Sequence, residues 1–256
     1  MTETEWMTTD RCSMYSGLDF LQERGLASLR KLRLLACAYL RRQWDWLVDP
    51  RNRAAVEAAE AFADGRLSRE EMKAAAARAE AAYQELDRLH EQREDRDSSA
   101  LLNQAEMAEE AFHVASLALT EPDGGPAYEF ESLAEAVADQ AAMLADIVGT
   151  IARRAGADTA QENAVLAAEK HAHAELVREI FGNPFRPVSF DPSWRTPGVL
   201  AIAQRIYEQR DFAALPILAD ALEEAGCTSE EVLVHLCSPD PHVRGCWALD
   251  LVMGKS

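Results

Sequence analysis

At 256 residues with 48% hydrophobic content, the chain holds enough apolar material for one large domain or two small ones, which excludes disorder throughout. A formal net charge of −18, from 44 acidic against 26 basic residues, disfavours general attraction to phosphate backbones or anionic lipid surfaces. Five cysteines, an odd number, and no charged-then-apolar leader point to free thiols in the cytoplasm, and no uncharged apolar run approaches the roughly 18 residues of a membrane span.

Helix signals recur along the chain. Thr2…Glu5, Ser68…Glu71, Ser132…Glu135, Thr159…Glu162 and Thr228…Glu231 fit a capping box, in which a hydroxyl and a carboxylate satisfy two orphaned amide donors. Asp49-Pro50 and Thr196-Pro197 read as a cap followed by proline at the first helical position. Gly65, Gly156, Gly182, Gly226 and Gly254 stand where helices should stop. Alternating β-branched runs are missing between these signals, so the expected fold is all-α, a helical bundle or short solenoid-like array with a compact C-terminal module.

The first section, residues 1–65, contains a helix near 28–47 whose stripe of Leu29, Leu32, Ala36, Tyr39, Leu40 and Leu47 has the spacing of a packed face. Around it Arg24, Arg30, Lys31, Arg33, Arg41, Arg42, Arg51 and Arg53 form a basic island against Asp45 and Asp49. Neutralisation by the acidic middle section is the expectation; an exposed anion or partner dock is the alternative. The middle section, residues 66–181, predicts four long helices near 68–94, 98–119, 131–155 and 158–181, rich in Ala and Glu and broken at Glu121-Pro122-Asp123-Gly124-Gly125-Pro126. The last section, residues 182–256, opens on a proline-rich turn and predicts helices near 197–209, 215–225, 228–237 and 242–253. Val243, Trp247 and Leu251 recur every four residues, which predicts Trp247 packed against Leu218 and Leu222 of the 215–225 helix, with Arg244 bonded to a nearby turn carbonyl or acid.

Chemistry has few advocates. His235, Cys237, His242 and Cys246 could supply two imidazoles and two thiolates to a tetrahedral zinc ion, although His235 and Cys237, two apart, point in opposite directions on a helix. Glu110 and His113 have the E-x-x-H spacing of carboxylate-bridged di-iron bundles, but a second copy is missing. No phosphate-cradling glycine loop, G-x-S-x-G elbow or C-x-x-C pair occurs, so no catalytic residue and no small-molecule substrate is indicated. Arg186, Trp194, Arg195 and Arg244 are the side chains of the type that carries protein–protein contact energy.

Gly182-Asn183-Pro184-Phe185-Arg186-Pro187 and His242-Val243-Arg244-Gly245-Cys246-Trp247 resemble the C-terminal signature of a paralogue-rich bacterial family of uncharacterised proteins. The likeness extends more weakly to Thr4-Glu5-Trp6, Arg30-Lys31-Leu32-Arg33-Leu34 and Ala36-Cys37-Ala38. It implies a shape and no reaction; in that family a basic residue often takes the place of Cys237. Leu215 to Leu222, with the Asp240-Pro241 turn and Val243-Arg244, also resembles paired helices of a HEAT-type array, in which the Val-Arg pair packs inward. The sequence thus predicts a non-catalytic intracellular interaction or regulatory module with a protein partner and no cofactor, the alternative being a zinc-binding helical-bundle protein or metalloenzyme; nucleic acid is disfavoured as a ligand.

Overall fold

The structure, a computed structural model, describes residues 1–8, 10, 15–92, 99–120 and 132–255. Every regular element among them is helical: α1 (Glu3–Thr8), α2 (Tyr15–Glu23), α3 (Leu29–Arg41), α4 (Pro50–Ala63), α5 (Arg69–Glu91), α6 (Ser99–Ala118), α7 (Leu133–Arg154), α8 (Thr159–Phe181), α9 (Pro197–Gln209), α10 (Leu215–Glu224), α11 (Glu230–Leu236) and α12 (Trp247–Met253), with short 3-10 turns between some of them. No helix is long and apolar enough to cross a membrane among the described residues. The Glu121 to Pro126 break lies outside the described residues.

Local chemistry sets most helix ends. Thr2 and Glu5 exchange backbone and side-chain bonds, as do Ser68 and Glu71. Ser132 accepts from the Glu135 amide, and Asp49 and Thr196 cap helices that begin on proline. Two expected caps shift by one residue. Asp158, not Thr159, caps α8 and is answered by Gln161; Ser229, not Thr228, precedes α11, where no side chain bonds the free amides. All five expected stop glycines have positive φ. Arg210 ends α9 with φ 55°, in the left-handed region that favours glycine.

Two apolar clusters result. One runs from Trp6 and Leu18 through α3, α4, α5, α6 and α7 to Ile180, so the expected sections 1–65 and 66–181 contribute to a single cluster. The other runs from Val199 to Val252 and is built by α9, α10, α11 and α12. Leu32, Leu35, Ala36, Tyr39 and Leu40 are all buried, as their spacing predicts.

Ionic groups join the two clusters. Asp64, which caps the C-terminus of α4 and has no exposed side-chain surface, accepts from Arg30 Nε (3.0 Å), Tyr207 Oη (2.8 Å), Lys255 Nζ (3.2 Å) and Arg244 Nη1 (3.3 Å). Arg30 also holds Asp250 of α12 through both terminal nitrogens, at 2.5 and 2.9 Å. Burial works against the charge on Arg30, but hydrogen bonding and the fields of Asp250 and Asp64 raise its pKa overall. Arg30, Arg41, Arg42 and Arg51 of the basic island are therefore paired with acids within the chain, while Arg33 and Arg53 donate to carbonyls and Lys31 makes no ion pair among the described residues. Arg41 and Arg210 bond Glu60, while Arg42 bonds both oxygens of Glu169. Of these acids only Glu169 belongs to the expected middle section; Glu60 and Asp64 come from α4 and Asp250 from the end of the chain.

Candidate metal centre

Glu179, His235, His242 and Cys246 place one ligand atom each within 4.8 Å of one another. They come from separate segments. Glu179 lies in the last turn of α8, between Leu176 and Ile180 of the apolar stripe, and is 6% exposed. His235 closes α11, His242 belongs to the following turn, and Cys246 is the residue before α12.

The turn is what aims the last two. The expected helix over 242–253 begins only at Trp247. Gly245 adopts φ 95°, and a Cβ there would meet Leu34 Cδ1 at 3.1 Å. A helix could not start earlier without losing that left-handed residue, which lets the chain pass against α3. His242 and Cys246 therefore do not share a helix face; a tight turn brings them together.

The expected quartet is corrected at one position. Cys237 is exposed and takes no part, because it stands two residues after His235, at the end of α11, where its side chain leaves the face that carries the imidazole. Glu179 stands in its place.

Within the cluster, Glu179 Oε2 is 3.1 Å from His235 Nε2 and Oε1 is 3.0 Å from His242 Nδ1. His235 Nε2 also lies 3.3 Å from Cys246 Sγ. His242 Nε2 faces the Ser238 carbonyl at 3.3 Å, and a carbonyl only accepts, so this nitrogen carries the proton. In neutral imidazole Nδ1 then presents a lone pair to a carboxylate oxygen. Such a contact requires a positive charge, either the second proton of an imidazolium or a cation between the two atoms. Burial opposes protonation of His242, but its bond to Glu179 raises the pKa overall. Glu179 is likewise opposed by burial and carried below the usual carboxylate range by the His235 and His242 contacts. The Cys246 thiol, fully buried, is pushed well up by desolvation.

The centre borders a cavity of about 550 Å³ of mixed lining, whose wall includes Trp6, Leu176, Arg178 and Trp247 as well as Glu179 and His235. The Trp247 ring lies 4.8 Å from that of His235 and against Gly182, where a Cβ would meet its Cγ at 3.2 Å. Trp247 thus covers the end of α8 and the His235 ring while packing against the cluster that holds the expected Leu218 and Leu222.

The other expected residues disperse. Arg244 is 6% exposed and is spent on Asp64 and the Tyr207 carbonyl, as its inward-packing Val-Arg pattern suggests. Arg195 bonds the Val252 and Leu251 carbonyls at the end of α12, and Trp194 meets Phe190 edge-on. Arg186 is exposed and pairs with Glu3. Glu110 and His113 face each other at 3.7 Å, and no group of three or more potential ligands forms around them among the described residues. No protein-family model, curated protein or solved structure matches the chain.

Proposed function

We propose that this chain is a non-catalytic zinc-binding helical protein in which Glu179, His235, His242 and Cys246 hold one ion and fasten the C-terminal helices to the long-helix body. The observation that carries this reading is the convergence of four buried or half-buried ligand atoms from three separate segments. Tetrahedral coordination at zinc–ligand distances of about 2.0–2.3 Å needs ligand atoms roughly 3.3–3.8 Å apart; three contacts in the cluster measure 3.0 to 3.3 Å and all four ligand atoms lie within 4.8 Å of one another.

Charge supports the same reading. A divalent ion balances one carboxylate and one thiolate, which makes the buried centre neutral. It takes the place of the imidazolium proton between His242 Nδ1 and Glu179, with the Nε2 proton of His242 held by the Ser238 carbonyl in the manner of an outer-shell partner. It also offsets the placement of an acid in the last turn of a helix, where the backbone dipole opposes negative charge. Four protein ligands close the shell, so a structural role is favoured over catalysis.

The test is metal analysis of protein purified without added metal, together with cobalt substitution. About one zinc per chain is expected, and the cobalt form should show a thiolate charge-transfer band that Cys246→Ser removes and Cys237→Ser retains. Protein that carries no metal and whose melting is unaffected by zinc or chelator would leave the imidazolium network as the occupant of the site.

A further inference from the structure

A second cavity, of about 360 Å³, shares Gly182, Asn183 and Trp247 with the first. Its walls are mostly apolar, with Phe181, Pro184, Pro187, Val188, Trp247 and Leu251, and Lys31 of α3 is among the charged residues that line it. Lys31 differs from its neighbours on that helix. Arg30, Arg33, Arg41 and Arg42 each donate to an oxygen of Asp64 and Asp250, Thr120, Glu60 or Glu169. The Lys31 ammonium has no acid within ion-pair distance among the described residues; what it meets is the face of Phe181, 5.5 Å from the ring centre.

Other charges on the wall are already engaged. Asp250 is held by Arg30, Lys255 by Asp64 and Arg186 by Glu3. Glu231 is exposed to solvent and accepts from Ser229. The positive charge of Lys31 is thus the one on this wall that the fold leaves uncompensated among the described residues. Desolvation is the largest influence on it and lowers its pKa, with Asp250 acting in the opposite direction. An ammonium kept partly out of water without a counter-charge is costly unless an anion arrives.

We propose that this cavity is a binding site for a small organic carboxylate with an aromatic or branched apolar body, the carboxylate seated on Lys31 and the body between Phe181 and Trp247. The apolar walls select against inorganic anions, which would have to shed water without gaining contact, and the ammonium selects against neutral compounds of the same shape. None of the four metal-centre residues lines this cavity, but Trp247 borders both, so the titration is run on protein of fixed metal content.

Calorimetric titration of the full chain with 3-phenylpropionate, and with the neutral 3-phenylpropanamide as its isostere, tests the proposal. The acid is expected to bind at least about tenfold more tightly than the amide, and Lys31→Met to remove that preference while the variant melts like the parent, since Lys31 makes no ion pair. Val188→Trp, which adds bulk to the cavity wall, is expected to block both compounds. Equal affinity of the parent for acid and amide, no binding of either, or undiminished acid binding by Lys31→Met would overturn it.

Discussion

Replacing Asp64 probes the ionic junction between the two clusters. Its carboxylate is wholly buried and gathers Arg30 from α3, Tyr207 from α9, Arg244 from the turn before α12 and Lys255 beyond it. Asp64→Asn keeps the shape and removes the charge. Breaking a buried ion pair by removing one partner costs about 3–5 kcal/mol, because the surviving charges stay desolvated. The lower end applies here, since Arg30 retains Asp250 and Arg244 retains the Tyr207 carbonyl. About 3 kcal/mol, at roughly 2–4 °C per kcal/mol for a chain of this size, lowers the melting temperature by about 6–12 °C. Arg66→Ala is the control: Arg66 reaches the same carboxylate, but its side chain is 47% exposed, so the loss should stay below about 1 kcal/mol. The pH profile supplies a second readout. Burial raises the Asp64 pKa, while Tyr207, Arg30 and Lys255 outweigh it and bring the net value below 3.8. Asp64 therefore contributes stability above about pH 4 that is lost as the pH falls, and Asp64→Asn should flatten that part of the profile. Thermal and urea unfolding read both effects. An Asp64→Asn protein within about 1 kcal/mol of the parent would refute the view that this carboxylate joins the clusters.

Glu169 should give the chain a second acid-labile contact. Burial opposes its charge, yet Arg42 and His173 hold its pKa down to about 2 from an ordinary 4.5, so at most about 3 kcal/mol, less whatever solvent screening removes, is present above pH 4.5 and should fade as the pH falls towards 2. Urea titrations of the parent and of Glu169→Gln across that range should converge at the acid end; curves that stay parallel would contradict the shift. Gly245→Ala combines a left-handed φ of 95° with a 3.1 Å approach to Leu34, for an expected loss of about 2–4 kcal/mol. Gly156→Ala shares the backbone strain, at φ 96°, and meets nothing within 4 Å, so its smaller loss in the same denaturation assay isolates the packing contribution.

The helices were legible because their signals are local. A capping box, a proline at the first position and a terminal glycine each act within a few residues, and the shifts at Asp158 and Ser229 arise where adjacent residues compete for one cap. The site was only partly legible. His235, His242 and Cys246 stand within twelve positions of one another, but the fourth group is Glu179, one acid among 44 and 56 residues before His235. A weak signal existed: an acid in the last helical turn, against the dipole, just ahead of Gly182. For Arg244 the Val-Arg pattern announces inward packing, but it does not announce that the partner is Asp64, 180 positions earlier. Long-range electrostatic pairing has no short sequence pattern.

Trp6 shows what such separation means during synthesis. Its side chain is fully buried, its indole donates to the Gly182 carbonyl at 3.1 Å across 176 positions, and its own carbonyl accepts from Arg178 at 2.8 Å. On a ribosome adding about 5–20 residues per second, the tryptophan emerges about 9–35 s before the turn that receives it. Throughout that interval a large aromatic ring lacks its native seat, and α1, only six residues long, is too short to persist by itself. The beginning of this chain is therefore among the last parts to settle, and a holding factor or a slowly translated stretch would act on the wait for Gly182.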